Sequence, residues 1–309
     1  MTRCTVIIPT FNRRDVLPHA VASVLEQDER DFELIVVDDA STDATREWLA
    51  QLTDPRLRVI RAEKNVGVSA ARNLGLAEAR SPIVAFLDSD DRYRPQRLNV
   101  GLAAMDREPN VVCTLASATK QVWDQIRTEV LPNVKLASPA FAWALYCDLF
   151  SVEGSAIMVR TDAARAIGGY CEGLNRTEDR EFLIRLSAQG AVRLLPDVLW
   201  EKSWRSDSLS NAWTTAGRDL AAYFAQRPEY TGRFRKIGNY LATKILVADC
   251  RRGDFATLFA DVVRFRAMGL LQGGLAKLWG DHREVRAYRR SMSNAKALAS
   301  LGPAPAQWV

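Results

Sequence analysis

The chain has 309 residues, of which 48% are hydrophobic, and its formal net charge at pH 7 is +5. This length suits one large α/β domain with a smaller appendage and allows a sizeable core. The five cysteines show no metal-ligand spacing, and the sequence has neither a charged leader with an apolar segment nor an apolar run of about 18 residues. We therefore expect a cytoplasmic protein with reduced cysteines that is neither exported by a leader nor membrane-spanning.

Strand-like and helix-like segments alternate over the first hundred residues, which indicates a parallel sheet built from βαβ units. The predicted strands are Thr5–Ile8, Phe32–Val37, Leu57–Arg61 and Ile83–Leu87, and the predicted helices are Asp15–Gln27, Asp43–Leu52 and Ser69–Ala79. The first two strands are almost wholly apolar, as expected for strands that are covered on both faces.

The next hundred residues continue the mixture. Helices are predicted at Pro95–Asp106, Pro139–Phe150, Asp162–Ile167 and Glu178–Gln189, and strands at Val111–Ala116, Gln121–Val130, Ala156–Val159, Val192–Leu195 and Val198–Trp204. The apolar runs of β-branched residues favour strands, and the 3.6-residue periodicity favours helices.

The C-terminal hundred residues differ from the rest in charge. Residues 211–309 contain sixteen Lys/Arg and seven Asp/Glu, a net +9, which leaves −4 for residues 1–210. Their pattern is helical, and Asp254 is predicted to cap a helix in which one face is shared by Leu258, Phe259, Val262 and Val263. Basic helices suit anionic lipid, acidic polymers or nucleic acid, with an ordinary solvated face as the plain alternative.

We predict from this charge that the C-terminal part attaches peripherally to an anionic membrane surface, at the inner face of the membrane. A helical cap on residues 1–210 and a homodimer contact are the alternatives. We expect no nucleic acid partner.

Three carboxylates crowd the end of the predicted strand Ile83–Leu87, in the run Asp88-Ser89-Asp90-Asp91. Carboxylates this close raise one another's pKa unless a cation or hydrogen-bond donors neutralise them. A divalent ion such as Mg²⁺ takes oxygen ligands and keeps open positions for substrate phosphates. In an open α/β sheet, ligands bind at the carboxyl ends of the strands. The plain alternative is a solvated acidic turn.

Two other strand ends bring polar groups to the same edge. Pro9-Thr10-Phe11-Asn12 ends the first strand, and Asp38-Asp39 opens the run that ends the second. A carboxylate there can accept hydrogen bonds from a base or a ribose, and Phe11 can cover a base. The preferred interpretation of Phe11 by itself is a core position, and Asp43 can be a plain helix cap.

Asn65-Val66-Gly67 leads into a helix that carries Arg72, and a helix N-terminus beside an arginine favours an anionic group. The chain has neither a G-x-G-x-x-G fingerprint nor a phosphate-binding loop ending in Gly-Lys-Ser/Thr, which argues against a dehydrogenase and a kinase-like NTPase. Later, Thr177-Glu178-Asp179 begins another helix. Acidic residues there are commonly caps, but a carboxylate free of metal is also what a general base requires.

Taken in order and spacing, these motifs resemble the family-2 inverting glycosyltransferases of GT-A fold, over roughly residues 3–210. The resemblance rests on the Pro-Thr-Phe-Asn turn, Val37 to Asp43, Asn65-x-Gly67, Ala71-Arg72-Asn73-x-Gly75, Phe86 to Asp91 and Thr177-Glu178-Asp179. It implies a GT-A catalytic domain at 1–210, with a nucleotide-binding half at about 1–105 and an acceptor half at about 106–210. A basic helical extension follows at 211–309.

The resemblance also implies a role for each residue at the site. The nucleotide, usually UDP, would be held by Pro9, Thr10, Phe11, Asp38 or Asp39, Asn65, Arg72, Asp88, Ser89 and Arg205. Asp90 would bind Mn²⁺ or Mg²⁺ on the diphosphate, and Asp179 would be the catalytic base. Asp91, Gly169, Tyr170 and Glu178 would support the site or border the acceptor. The partners would be a nucleotide-sugar donor and a glycan or lipid-linked glycan acceptor.

One departure concerns the Arg-x-His element that many relatives carry after the last core strand. The matching stretch here, Trp204 to Ser210, has no histidine, and His19 and His282 are interpreted as structural or solvated. Metal affinity is the property that this departure affects, and Arg205 would contact the diphosphate without a histidine partner. A nucleotide-sugar binding protein that has lost catalysis is therefore one alternative. A sugar nucleotidyltransferase is another, although the loop at 9–14 has no glycine.

Overall fold

A computed structural model describes residues 2–122, 125–174, 176–203, 216–292 and 295–302. The strands are β1 Cys4–Thr10, β2 Phe32–Asp38, β3 Leu57–Arg61, β4 Ile83–Phe86, β5 Asp91–Tyr93, β6 Val111–Val122, β7 Gln125–Glu129, β8 Val134–Leu136, β9 Ile157–Arg160 and β10 Ala191–Lys202. The helices are α1 Leu17–Leu25, α2 Thr45–Leu49, α3 Val68–Glu78, α4 Arg97–Arg107, α5 Ala140–Tyr146, α6 Thr161–Ala166, α7 Glu178–Leu186, α8 Ala216–Gln226, α9 Arg235–Arg252, α10 Phe255–Ala267, α11 Gly274–Ser291 and α12 Ala295–Ala299.

The strands form one sheet in the order β3-β2-β1-β4-β9-β6-β10-β5, with β7 added to β6 and β8 to β10. The pairings β3-β2, β2-β1, β1-β4 and β6-β10 are parallel, whereas β9 runs antiparallel to both of its neighbours. The helices between the parallel strands supply the crossovers that such pairing needs. This mixed α/β sheet with a helical C-terminal part confirms the predicted fold class.

Strands β1, β2 and β4 are buried along their whole length, and because successive side chains of a strand point to opposite sides, both faces of the sheet are covered there. Ile7 and Ile35 belong to one apolar cluster, while Val6 and Ile8 belong to a second cluster under α1 and α4. The first cluster continues into the C-terminal helices, where it includes Phe265. The C-terminal helices therefore share a core with the face of the sheet on which α3 and α7 pack.

Two polar contacts also connect α7 to the C-terminal part. Arg227, which follows α8, donates to Glu181 of α7 at 2.6 Å. Asp148, which follows α5, pairs with Arg180 of α7, with Lys244 of α9 at 3.3 Å and with Arg289 of α11 at 3.0 Å. Helix α7 thus forms ion pairs both with Asp148, which follows α5, and with Arg227, which follows α8.

The structure corrects several predicted boundaries in the second hundred residues. β6 runs unbroken through Ser117 to Lys120, where the polar composition predicts a break, because these residues pair with β10. β10 likewise joins two predicted strands, and Pro196-Asp197 lies at a shift of register between Leu195 and Val198. The short strands β5 and β8 are absent from the sequence-based assignment, because a strand of three residues is too short to show an alternation of apolar and polar side chains.

In the C-terminal part, Asp254 caps α10 as predicted and accepts a hydrogen bond from the Thr257 backbone at 3.1 Å. The predicted shared face of α10 is not buried as a whole, since Phe259 and Val263 are exposed. None of the described helices is both long and apolar enough to cross a membrane. The predicted domain boundary at residue 210 falls outside the described residues and stays a prediction.

Candidate active site

The polar strand ends meet at one edge of the sheet. In the parallel register, Thr10 of β1 lies beside Asp38 of β2, which lies beside Arg61 of β3. Phe86 of β4 lies opposite Ile7, so the acidic run from Asp88 follows at the same edge. The polar strand ends therefore lie close together, as predicted, because the parallel strands end at the same edge of the sheet.

Arg72 of α3 lies at the centre of this edge and is only 1% exposed. Its Nη2 contacts Asp88 Oδ1 at 2.7 Å, and its Nη1 contacts Glu178 Oε1 and Asp179 Oδ1, each at 3.2 Å. The guanidinium also lies over the ring of Tyr170, with 5.0 Å from Cζ to the ring centroid. One buried cation thus joins the acidic run after β4 to the acidic start of α7. The predicted contact of Arg72 with the nucleotide stays a prediction.

Two of the carboxylates that contact Arg72, those of Asp179 and Glu178, are pushed towards their neutral forms. Burial raises the pKa of Asp179 to about 8, the Arg72 guanidinium opposes the rise, and the negative charges of Glu178 and Asp88 add to it. Burial also raises the pKa of Glu178. A carboxylate with a pKa near neutrality is suited to general acid–base chemistry, and such shifts concentrate at functional sites.

Asp91 is buried behind this acidic run, where burial and the charges of Asp88 and Asp90 raise its pKa well above the ordinary value. Its Oδ2 accepts a hydrogen bond from the Ser155 hydroxyl at 2.6 Å, and the same hydroxyl accepts one from the Asp88 backbone N–H at 3.1 Å. Ser155 thereby fixes the bend of the acidic run. A Cβ at Gly154 would lie 2.6 Å from Arg72 Nη2, so this position allows the close approach.

Asp90 is partly exposed, and burial together with the charge of Asp88 raises its pKa. An oxygen donor of this kind, carrying negative charge that its protein neighbours only partly balance, fits Mn²⁺ or Mg²⁺. Within the described residues, no three acidic, histidine or cysteine side chains form a ready metal cage. A single protein carboxylate fits an ion that takes its other ligands from a substrate diphosphate.

Lys202, at the end of β10, lies opposite Asp91 in the sheet register. Its pKa is lowered by burial but raised overall by Glu153 and the acidic run, so it is a cation beside the three carboxylates. Its Nζ lies 3.5 Å from Glu153 Oε1. The sequence analysis missed Lys202, and it did not predict the contacts of Ser155 and Gly154 with the acidic run and with Arg72. Lys202 belongs to no recognisable motif, and the pairing of β10 with β5 and β6 brings it to the site.

Asp38 and Asp39, which are predicted to hold the nucleotide, lie at the same edge of the sheet and bind neighbouring parts of the protein. Asp38 pairs with Arg61 at 2.7 Å. Asp39 accepts hydrogen bonds from the backbone N–H groups of Val66 at 2.7 Å and Gly67 at 2.9 Å. Each carboxylate therefore also fixes the loops around it, and the Asn65-x-Gly67 motif supplies donors to Asp39.

Thr10 is buried, and its hydroxyl has no hydrogen-bond partner among the described residues. Phe11 is 41% exposed, so the interpretation of Phe11 as a core residue is wrong. The physical reason is that Asn12 turns the backbone at a φ of 52° directly after β1, which leaves Phe11 outside the sheet. An exposed aromatic ring directly after Thr10, the residue paired with Asp38, is compatible with the predicted contact with the nucleotide base.

The predicted Gly169-Tyr170 loop is held by Asn73, the neighbour of Arg72 on α3. Asn73 Oδ1 accepts from the Tyr170 backbone N–H at 2.7 Å, and its Nδ2 donates to the Tyr170 carbonyl at 3.0 Å. Gly169 has a φ of 70°, and a Cβ there would lie 2.4 Å from Asn73 Oδ1. Tyr170 is buried and stacks on Phe182 with ring centroids 4.2 Å apart. The motif Arg72-Asn73 therefore holds both Asp179 and the loop beside it.

The remaining predicted site residues lie as follows. Ser89 and Pro9 are buried at the same edge, and their predicted contact with the nucleotide stays a prediction. Arg205 and the whole stretch Trp204 to Ser210 lie outside the described residues, so the predicted diphosphate contact of Arg205 stays a prediction. His19 lies on α1 and His282 on α11.

Comparison with known proteins gives the same family. Residues 5–167 match the family model of glycosyl transferase family 2. A putative teichuronic acid biosynthesis glycosyltransferase of Bacillus subtilis is 44% identical over 103 residues, which are 33% of this chain and 41% of that protein. A UDP-Glc:α-D-GlcNAc-diphosphoundecaprenol β-1,3-glucosyltransferase of Escherichia coli is 34% identical over 101 residues, 33% of this chain and 40% of that protein. The chain thus matches less than half the length of these two relatives.

Solved structures show the same fold. The S. aureus TarS 1–349 complex with UDP-GlcNAc superimposes with a TM-score of 0.61 at 18% identity, covering 94% of this chain and 92% of that one. The Pyrobaculum calidifontis mannosyltransferase in complex with GDP-Man and Mn²⁺ gives 0.58 at 19% identity, covering 96% and 84%. The fold is therefore of GT-A type. Since the family model spans more than half of the residues, the chain belongs to glycosyl transferase family 2.

Proposed function

We propose that the protein is a metal-dependent inverting glycosyltransferase. It moves a sugar from a nucleotide donor, UDP-linked in the first instance, to a hydroxyl of a glycan or lipid-linked glycan. The observation that carries this proposal is the contact of buried Arg72 with both Asp88 and Asp179, at 2.7 and 3.2 Å. One cation holds the carboxylate assigned to the donor beside the carboxylate assigned to the acceptor.

On the donor side, the proposed contacts come from the first four strands. Asp38 or Asp39 would accept hydrogen bonds from the base, and Asp88 from the ribose, while exposed Phe11 would cover the base. The UDP-GlcNAc and UDP complexes of TarS support a uridine nucleotide, and the GDP-Man complex of the Pyrobaculum enzyme keeps a guanosine nucleotide open.

Asp90 would hold Mn²⁺ or Mg²⁺ together with the donor diphosphate. When bound, such an ion supplies positive charge that stabilises the leaving diphosphate. The raised pKa of Asp90 supports this role, because a group destabilised by nearby carboxylates gains most from a cation. Lys202 would balance the negative charge behind Asp90, and Asp91 would support the acidic run through its hydrogen bond from Ser155.

On the acceptor side, Asp179 would take the proton from the attacking hydroxyl. The acceptor oxygen forms its bond to the anomeric carbon as the bond from that carbon to the diphosphate oxygen breaks, and the configuration inverts. Arg72 keeps Asp179 in place, and its charge favours the ionised form that accepts the proton. The loop of Gly169 and Tyr170 would border the donor sugar and the acceptor.

The acceptor class rests on relatives, not on geometry. The names of matched proteins include teichuronic acid, succinoglycan and colanic acid biosynthesis, and one acts on a sugar linked through diphosphate to undecaprenol. We infer an acceptor of this general kind in the biosynthesis of a bacterial polysaccharide, in the cytoplasm.

The test compares Asp90→Asn with Asp179→Asn. Both changes should abolish sugar transfer, measured as UDP release with Mn²⁺, but only Asp90→Asn should strongly weaken Mn²⁺-dependent UDP binding in calorimetry. Asp106→Asn is the matched control, since that side chain is 66% exposed on α4 and pairs with Arg3. Full transfer by Asp179→Asn would contradict the assignment of the base.

The alternative is a nucleotide-sugar binding protein without turnover, which the missing histidine in the stretch Trp204 to Ser210 favours. The unaltered protein distinguishes the two. UDP binding with no release from any donor across a broad donor and acceptor panel would support the binding protein.

A further inference from the structure

The exposed residues of the C-terminal helices carry a larger excess of basic over acidic side chains than these helices have in total. Between residues 216 and 302, twelve of the sixteen Lys/Arg side chains are exposed, but only one of the seven Asp/Glu side chains, that of Glu284. The buried acids include Asp249, Asp261 and Asp281. Burying the acids and exposing the bases leaves a surface that attracts anions.

A groove of about 610 Å³ opens between α9 and α11 on this surface, and none of the described residues that line it is acidic. Its cations are Lys244, Arg251, Arg252 and Arg286. Lys244 pairs with Asp148 and Arg252 with Asp249, while Arg251 and Arg286 have no carboxylate partner among the described side chains. The groove thus holds positive charge that the protein leaves unbalanced.

The same groove has an aromatic wall. His282 lies 4.9 Å from Tyr240 and stacks on Trp279 at 5.7 Å between ring centroids, and Trp279 is 59% exposed. Burial lowers the pKa of His282, and the positive charges of Arg286 and Lys244 lower it further. Exposed aromatic rings beside cations are typical of surfaces that meet the headgroup region of a bilayer.

A row of exposed apolar side chains follows the groove along the chain. Phe255, Phe259 and Val263 are spaced four residues apart on one face of α10 and are 66%, 72% and 53% exposed. Phe265, on the other face, is fully buried. A helix with one face packed on the protein and a second apolar face in solvent is expected to have a partner for that second face. We call Phe255, Phe259 and Val263 the α10 ridge.

The ridge begins close to the groove, because α9 ends at Arg252 in the groove wall and α10 begins at Phe255. We propose that α9, α10 and α11 form a docking surface for an anionic bilayer, in which the α10 ridge enters the interface and the groove binds a phospholipid headgroup phosphate. Arginine forks suit phosphate oxygens, and the apolar side chains gain from leaving water.

Charge decides between this occupant and a second copy of the chain. A two-fold contact would place the same patch against itself, so the exposed cations of one copy would face those of the other. An anionic surface has the opposite sign, and it also takes apolar side chains. This inference goes beyond the proposed transfer reaction, and its test does not depend on that reaction.

The test is flotation of the full chain with vesicles of phosphatidylcholine alone and of phosphatidylcholine with 30% phosphatidylglycerol, at low and at physiological salt. The unaltered protein should bind the anionic vesicles at least tenfold more tightly than the neutral ones, and more tightly at low salt. Phe259→Glu should reduce this binding at least tenfold, and so should the pair Arg251→Glu with Arg286→Glu.

The control is the pair Arg218→Glu with Arg233→Glu, which makes the same charge change at exposed positions outside the groove. This pair should change binding less than threefold, with circular dichroism confirming that every variant is folded. Three outcomes would overturn the proposal: no binding to anionic vesicles at low salt, equal losses in the two pairs, or a dimer in light scattering that Phe259→Glu dissociates without any vesicle binding.

Discussion

Replacing Arg72 with methionine tests the most buried electrostatic feature of the site. The change keeps much of the apolar stem but leaves Asp88, Glu178 and Asp179 without the cation that contacts them at 2.7, 3.2 and 3.2 Å. Removing one partner of a buried ion pair costs about 3–5 kcal/mol. We therefore expect Arg72→Met to lower the free energy of unfolding by about that amount at pH 8, measured by urea denaturation.

The pH dependence of this loss is the sharper part of the test. Without Arg72, the pKa of Asp179 rises above its already raised value, so the folded state holds a proton more tightly than the unfolded state. The stability from that proton is present at low pH and is lost as pH rises through the folded-state pKa. The deficit of Arg72→Met should therefore be smaller at pH 5 than at pH 8.

Arg58→Met is the matched control, since Arg58 is 32% exposed and pairs with exposed Glu78 at 3.0 Å and more weakly with Glu33 at 3.4 Å, whose carboxylate keeps its hydrogen bonds from Thr5 and Arg80. It should cost less than about 1 kcal/mol at either pH. If Arg72→Met were as mild as Arg58→Met, or if its deficit grew towards low pH, the account of Arg72 as the balancing cation would be wrong.

Two further predictions concern the base and the loop beside it. Because burial raises the pKa of Asp179 to about 8, kcat/KM should rise with pH through that value and level off above it; a flat profile from pH 6 to 9 would contradict Asp179 as the base. Gly169→Ala should lower kcat strongly by displacing Asn73 and Tyr170, whereas Gly168→Ala, with a similar φ of 76° and no atom within 4 Å of the added Cβ, should cost only about 1 kcal/mol of backbone strain. Equal effects of the two alanines on transfer would rule out the contact with Asn73 as the cause.

The sheet and the position of the site could be predicted because they depend on local signals. β1 and β2 are apolar runs with polar ends, and parallel strands bring such ends to one edge. The bounds of β3 agree with the prediction at both ends. The acidic run after β4 could likewise be assigned to that edge from its place in the sequence.

Contacts between distant segments could not be predicted. Arg72 and Asp179 are 107 residues apart, and no local pattern shows that a single guanidinium contacts the carboxylates of both motifs. Lys202 reaches the site only because β10 pairs with β5. Phe11 was assigned to the core on its hydrophobicity, whereas its exposure follows from the backbone turn at Asn12.

The ion pairs of α7 limit how parts of this chain can be exchanged with those of a relative. Arg180 and Glu181, the two residues after Asp179, are paired to Asp148 and to Arg227. In the same way, Trp143 Nε1 donates to Tyr288 of α11 at 2.8 Å. A chimera that joins residues 1–210 to the C-terminal helices of a relative would keep α7 in place only where those helices supply partners equivalent to Arg227 and Tyr288.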